Sequence, residues 1–77
     1  MGQRRVTGSE HRLRRRIATN VRHLRKEQKL SVIAAAESVG VHWRLWQKIE
    51  AGDENITLWT LIRVADALDV DPRDLLA

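Results

Sequence analysis

Apolar residues recur every three or four positions along most of this chain, and no run of it alternates as a β-strand must. Leu13, Ile17, Val21 and Leu24 make one such stripe, in a segment from about Ser9 to Lys29 whose remaining circumference is crowded with arginine. That spacing predicts one amphipathic helix, long for so small a chain. Thr7 and Glu10 stand at capping-box spacing for its start, with Ser9 as the alternative cap. Ser31 then offers an N-cap for a second helix, VIAAAESV, whose alanines permit close backbone approach and which stops at Gly40. A third helix is expected from about His42 to Ala51, ending at Gly52. After the polar DEN, Thr57 caps a fourth, with Leu58, Leu61, Ile62, Ala65 and Leu68 as its buried stripe. Asp71 before Pro72 is a cap followed by proline at the first helical position, opening a short fifth helix that ends in Leu75 and Leu76. The expected fold is all-α and compact, with five helices over residues 9–77. Residues 1–8, MGQRRVTG, lack periodicity and read as a flexible basic arm.

A chain of 77 residues is one domain and buries only about 60% of its unfolded surface, so its core must be small. It has no cysteine, which excludes disulfides and thiolate metal sites and leaves packing to hold the fold. No apolar run has the length of a membrane span, and the basic N-terminus leads into an amphipathic segment instead of a signal peptide. A cytoplasmic protein with no membrane partner is expected. Residues 1–29 hold ten Lys/Arg against Glu10 and Glu27, a net of +8, whereas residues 30–77 hold four against eight, a net of −4. So dense a basic end suits phosphate, and the acidic end repels it.

The stretch VGVHWRLWQKIEAG, residues 39–52, carries more polar side chains than a small core can absorb. Two short helices joined by a tight glycine turn, the second of them polar on one side, are the helix-turn-helix arrangement, here over about residues 31–51. A protruding second helix fits the major groove, about 12 Å wide, where base pairs are distinguishable by their hydrogen-bonding edges.

Arg25, Ala36, Gly40–Val41, Ile49–Glu50 and Gly52, with Leu58, Leu61, Ala65, Ala67, Leu68 and Val70 after them, form a pattern. On these residues the chain, from Ile17 to Leu76, resembles the lambda-repressor-like helix-turn-helix domain of XRE-type bacterial and phage regulators. The resemblance implies an ion pair between Arg25 and Glu50 that ties helix 1 to the end of helix 3. It also projects Trp43, Arg44, Gln47 and Lys48 from the exposed face of helix 3, with Leu45 at the edge. Arg44 suits guanine, whose O6 and N7 a guanidinium bonds bidentately, and Gln47 suits adenine in the same way; Lys48 and Ser31 are placed for phosphate. Arg12, Arg14, Arg15 and Arg16, with Arg4 and Arg5 upstream, are expected to follow the backbone or enter a minor groove.

The chain departs from the family at several points. Val32 stands where many members have a backbone-touching glutamine, and Ala35 where many have a core leucine. Trp46 occupies a position usually small and aliphatic, so it and Ala35 are expected to conserve core volume between them. Trp43 has two readings, a groove contact to sugar and thymine methyl or an anchor for a protein. Trp59, with Leu75 and Leu76, marks a dimer or partner surface, although Trp59 also fits a partly covered surface indole and the leucines fit a core. Asp53 and Glu54 oppose phosphate at the following loop.

His11, His23 and His42 are scattered, and neither a glycine-rich phosphate loop nor a nucleophile elbow is present, so no enzyme, cofactor or metal is expected. The expected activity is sequence-specific binding of double-stranded DNA by a transcriptional regulator, a repressor acting as a homodimer on a palindromic operator. A protein-binding module on the same scaffold, or a DNA-binding antitoxin of a toxin–antitoxin pair, are the alternatives.

Overall fold

The computed structural model describes residues 6–77, so Arg4 and Arg5 lie outside the described residues. The elements are α1 (Gly8–Glu27), α2 (Val32–Ser38), α3 (Trp43–Ala51) and α4 (Leu58–Leu68), followed by a 3-10 turn at Pro72–Leu75; no strand occurs among the described residues. The expected fifth helix is this single turn. Asp71 caps it and Pro72 opens it, but four residues close only i→i+3 bonds, as from Leu76 N–H to Arg73 O at 3.0 Å.

Side-chain oxygens start most elements. Thr7, Ser31 and Thr57 each accept a hydrogen bond from the N–H three residues on, those of Glu10, Ala34 and Thr60. All four α-helices then end alike, with one residue in the left-handed region: Lys29 (φ 58), Gly40 (φ 71), Gly52 (φ 75) and Asp69 (φ 54). In each case the next N–H reaches back to a carbonyl in the last turn, from Leu30 to Arg25, Val41 to Ala36, Asp53 to Lys48 and Val70 to Ala65, at 3.0–3.1 Å. The glycines at residues 40 and 52 take this conformation freely, whereas Lys29 and Asp69 hold it against a Cβ penalty.

The core gathers Ile17 and Val21 of α1, Ala35 and Ala36 of α2, Val41 of the turn, Trp46 and Ile49 of α3, Val64, Ala65 and Leu68 of α4, and Leu75. Trp46 is its largest side chain and is fully buried in the same cluster as the two small alanines. The α4 stripe differs from expectation. Leu58 is 73% and Ile62 42% exposed, while Thr60 and Val64 are buried and Leu61 half-buried. The helix is apolar on more than one side, so periodicity admits two phases, and packing selects Leu61–Val64–Ala65–Leu68. Leu13 is likewise exposed on the N-terminal turns of α1, where it lines a shallow hollow with Ile17, Asn55 and Ile56.

Two side chains fasten the C-terminal part to α1. Asn20 Nδ2 donates to Leu75 O and Ala77 O, both at 3.0 Å, and Gln28 Nε2 donates to Leu68 O at 2.6 Å.

Candidate nucleic-acid interface

Helix α3 has two working sides. Trp46 and Ile49 point into the core, whereas Trp43, Arg44, Gln47 and Lys48 are exposed and line one shallow groove with Ala51 and Asp53. These four stand at i, i+1, i+4 and i+5, which on a helix is one face. Leu45 lies between the two sides, half-buried against the core.

The N-terminus of α3 is built by three consecutive side chains. His42 is the N-cap, its Nδ1 accepting from Arg44 N–H at 3.1 Å. Its ring stacks on Trp43 with centroids 5.8 Å apart and planes at 25°. The Arg44 guanidinium carbon lies over the Trp43 ring, 5.2 Å from its centroid. Cap, indole and guanidinium thus restrain one another at the N-terminal end of α3. The sequence pattern starts this helix at about His42, which is instead the cap just before it.

The orientation of α3 is held from behind. Arg25 Nε donates to Glu50 Oε2 at 2.6 Å and Nη2 to Oε1 at 2.9 Å, a bidentate pair. Trp46 Nε1 donates to the same Oε2 at 2.6 Å, and Arg25 Nη1 donates to Leu30 O at 2.9 Å. The hydrogen bond to Glu50 raises the Arg25 pKa above its ordinary value against the opposing desolvation. The carboxylate therefore joins α1 to α3, and the guanidinium extends the link to the approach to α2. The spacing Trp46–Glu50, i to i+4 on one helix, was the available signal for the third bond.

The other predicted contacts fall into separate groups. Ser31 Oγ is engaged as the α2 cap, accepting from Ala34 N–H at 3.0 Å. Arg12, Arg15 and Arg16 line a groove on the outer side of α1 with Thr19, Asn20 and Ala77. The stem of Arg15 packs beside Gly52, linking this basic side to the end of α3. Arg14 does not join them: it turns toward the body, 3.8 Å from Glu10, in the hollow beside Ile17 and Ile56. A basic pair not singled out from the sequence, Arg22 and Lys26, flanks a second groove of α1 that reaches Glu50. Asp53 borders the α3 groove, an acidic group facing any phosphate there.

On α4, Trp59 is 58% exposed beside exposed Leu58 and Ile62, with the Arg63 guanidinium carbon 5.0 Å from the ring centroid. Leu75 is fully buried in the core, whereas Leu76 is exposed. No helix among the described residues is long and apolar enough to cross a membrane.

A family model described as a helix-turn-helix domain matches residues 16–77. Among solved structures, the restriction-modification controller protein C.AhdI from Aeromonas hydrophila is 29% identical, with a TM-score of 0.78 over 80% of this chain and 94% of its own. An HTH_3 family transcriptional regulator from Vibrio cholerae is 29% identical with a TM-score of 0.81, and the match covers 86% of this chain but only 37% of that one. The hypothetical transcription factor NHTF from Neisseria is 26% identical with a TM-score of 0.82 over 100% of this chain and 87% of its own. No curated protein matches at a significant level. With the family model spanning most of the chain and the helix-turn-helix geometry in place, the chain belongs to the helix-turn-helix domain family, as a lambda-repressor-like domain of the XRE type found in DNA-binding transcriptional regulators.

Proposed function

We propose that this protein is a sequence-specific repressor that lays α3 in the major groove of a palindromic operator and works as a homodimer in the cytoplasm, associated with the nucleoid when bound. The observation that carries the reading is the outward face of α3, where Trp43, Arg44, Gln47 and Lys48 share one groove and none is used by the core. Arg44 reads guanine and Gln47 adenine, Lys48 meets phosphate, and the exposed Arg12, Arg15 and Arg16 add a sequence-independent attraction, with Arg4 and Arg5 in the arm. Similarity to a restriction-modification controller supports a regulator of that kind.

The test is fluorescence anisotropy on random-sequence and selected duplexes at two salt concentrations. Arg44→Ala is expected to lose about 1–3 kcal/mol of discrimination at one base pair while keeping its salt slope. Replacing Arg12, Arg15 and Arg16 together by alanine should weaken all duplexes alike and flatten log K against log salt by up to about 0.9 for each phosphate that is no longer neutralised. Unchanged base preference in Arg44→Ala removes that residue from the reading set.

The second copy pairs through the outer side of α4, where Leu58, Trp59 and Ile62 are left uncovered. Half-sites then lie about 34–36 Å apart. Sedimentation equilibrium is expected to show a dimer that Trp59→Glu converts to monomer; a wild-type monomer at all concentrations excludes this arrangement. In that event the same apolar face favours the second reading, in which it holds a different protein, as in an antitoxin bound to its toxin.

A further inference from the structure

We propose that Trp43 and Arg44 act as one reading unit for a two-base step: a guanine next to a pyrimidine that carries a C5-methyl group, thymine or 5-methylcytosine. This rests on the DNA-reading role of α3 and adds to it the chemical identity of the step that is read.

Trp43 is 37% exposed and lies outside the core, which Trp46, three residues further along the same helix, fills. The indole has other partners. His42 stacks on it at 5.8 Å, and the Arg44 guanidinium carbon lies over it at 5.2 Å from the ring centroid. The Arg44 N–H is bound in turn by the His42 cap at 3.1 Å. The guanidinium of the best guanine reader is therefore held against an aromatic surface before DNA arrives, which lowers the ordering cost of readout.

The geometry of bidentate readout then fixes where the indole falls. Guanine O6 and N7 point outward in the plane of the base, so a guanidinium that bonds both lies close to that plane. The Arg44 guanidinium carbon lies over the Trp43 ring, 5.2 Å from its centroid, so with the guanidinium on the guanine the ring is within reach of the adjacent pair, one rise of ~3.4 Å along the axis. The indole consequently faces the major-groove edge of the neighbouring pair. Most of that edge presents hydrogen-bond donors and acceptors, which an apolar ring desolvates without satisfying. Its apolar element is the C5-methyl of thymine, and 5-methylcytosine places a methyl group at the same carbon. The Trp43–Arg44 pair thus favours a methylated pyrimidine beside the guanine and discriminates against cytosine there.

The experiment begins with selection of a preferred duplex from a random pool, followed by anisotropy titrations of the intact protein. The selected site is expected to contain a guanine beside a thymine. Replacing that thymine by deoxyuridine, which removes only the methyl, should weaken wild-type binding about fourfold, the effect of one buried methyl group, and leave Trp43→Ala binding unchanged. In a duplex carrying cytosine at that position, methylation of its C5 should strengthen wild-type binding by about the same factor. A selected site without such a step, no methyl effect in the wild type, or an equal effect in Trp43→Ala overturns the inference while leaving sequence-specific binding intact. Failure of the selection to yield any preferred sequence removes the DNA-reading role and this inference together. The deoxyuridine comparison on wild-type protein does not depend on how well any variant folds.

Discussion

Replacing Glu50 by alanine is expected to destabilise the domain by about 3–5 kcal/mol, read as a fall in the urea midpoint followed by circular dichroism. The side chains of Arg25 and Glu50 are only 13% and 10% exposed, so water does not take the place of the missing carboxylate. Glu50 accepts three hydrogen bonds, two from Arg25 and one from Trp46. Its removal strands a guanidinium and an indole N–H behind α3, and the cost is chiefly that of the unpaired charge, not of the attraction itself. A domain of this length has about 4–12 kcal/mol in total, so the variant sits near its unfolding threshold at room temperature. Glu50→Gln retains one carbonyl acceptor but turns an NH₂ group toward Arg25 or Trp46, and an intermediate loss is expected. A loss below about 1 kcal/mol in Glu50→Ala would show that the pair is solvated like an ordinary surface bridge.

Which parts of this arrangement were legible in the sequence follows from what local patterns encode. Caps were legible because they act locally: Thr7, Ser31 and Thr57 each bind the N–H three residues on, and Asp71 the N–H two residues on. The left-handed closures at Lys29 and Asp69 were not, because tertiary contacts hold non-glycine residues there, and one of them is the bond from Gln28 Nε2 to Leu68 O. The phase of α4 was ambiguous because Leu58 and Ile62 extend its apolar surface beyond the core side, where only packing decides. For the candidate interface, the grouping of Trp43, Arg44, Gln47 and Lys48 follows from helical spacing alone. The divergence of Arg14 from Arg15 and Arg16 was also available. Arg14 precedes Ile17 by three residues and Val21 by seven, which puts it on the core stripe, while Arg15 is turned about 100° and Arg16 about 200° from it. A run of three arginines is a charge run in sequence but not a single face on a helix. The His42–Trp43–Arg44 stack was illegible for a different reason: it depends on rotamers, and sequence spacing says nothing about those.

Trp46 carries the second large effect, because it serves volume and hydrogen bonding at once. Trp46→Ala is expected to lose about 3–5 kcal/mol from the cavity that it leaves, enough to unfold much of the population. Trp46→Phe keeps most of the ring but withdraws the N–H from Glu50, and a loss of about 1.5–3 kcal/mol follows from one charged hydrogen bond. The volume argument has its own test. Ala35 and Trp46 are both fully buried in one cluster, so Ala35→Leu alone overfills it by about 1–3 kcal/mol and Trp46→Leu alone underfills it. Combined, they should cost less than the sum by about 0.5–3 kcal/mol, the coupling expected of neighbours that share a space. Strict additivity in the denaturation midpoints would mean that the indole and the alanine fill separate spaces. Positive coupling with the Glu50 bond still missing gives a domain that folds but in which the carboxylate that bridges α3 to Arg25 is no longer fixed by the indole N–H. Such a variant should retain salt-dependent attraction to any duplex while losing preference among sequences, because base readout requires a fixed helix and phosphate attraction does not.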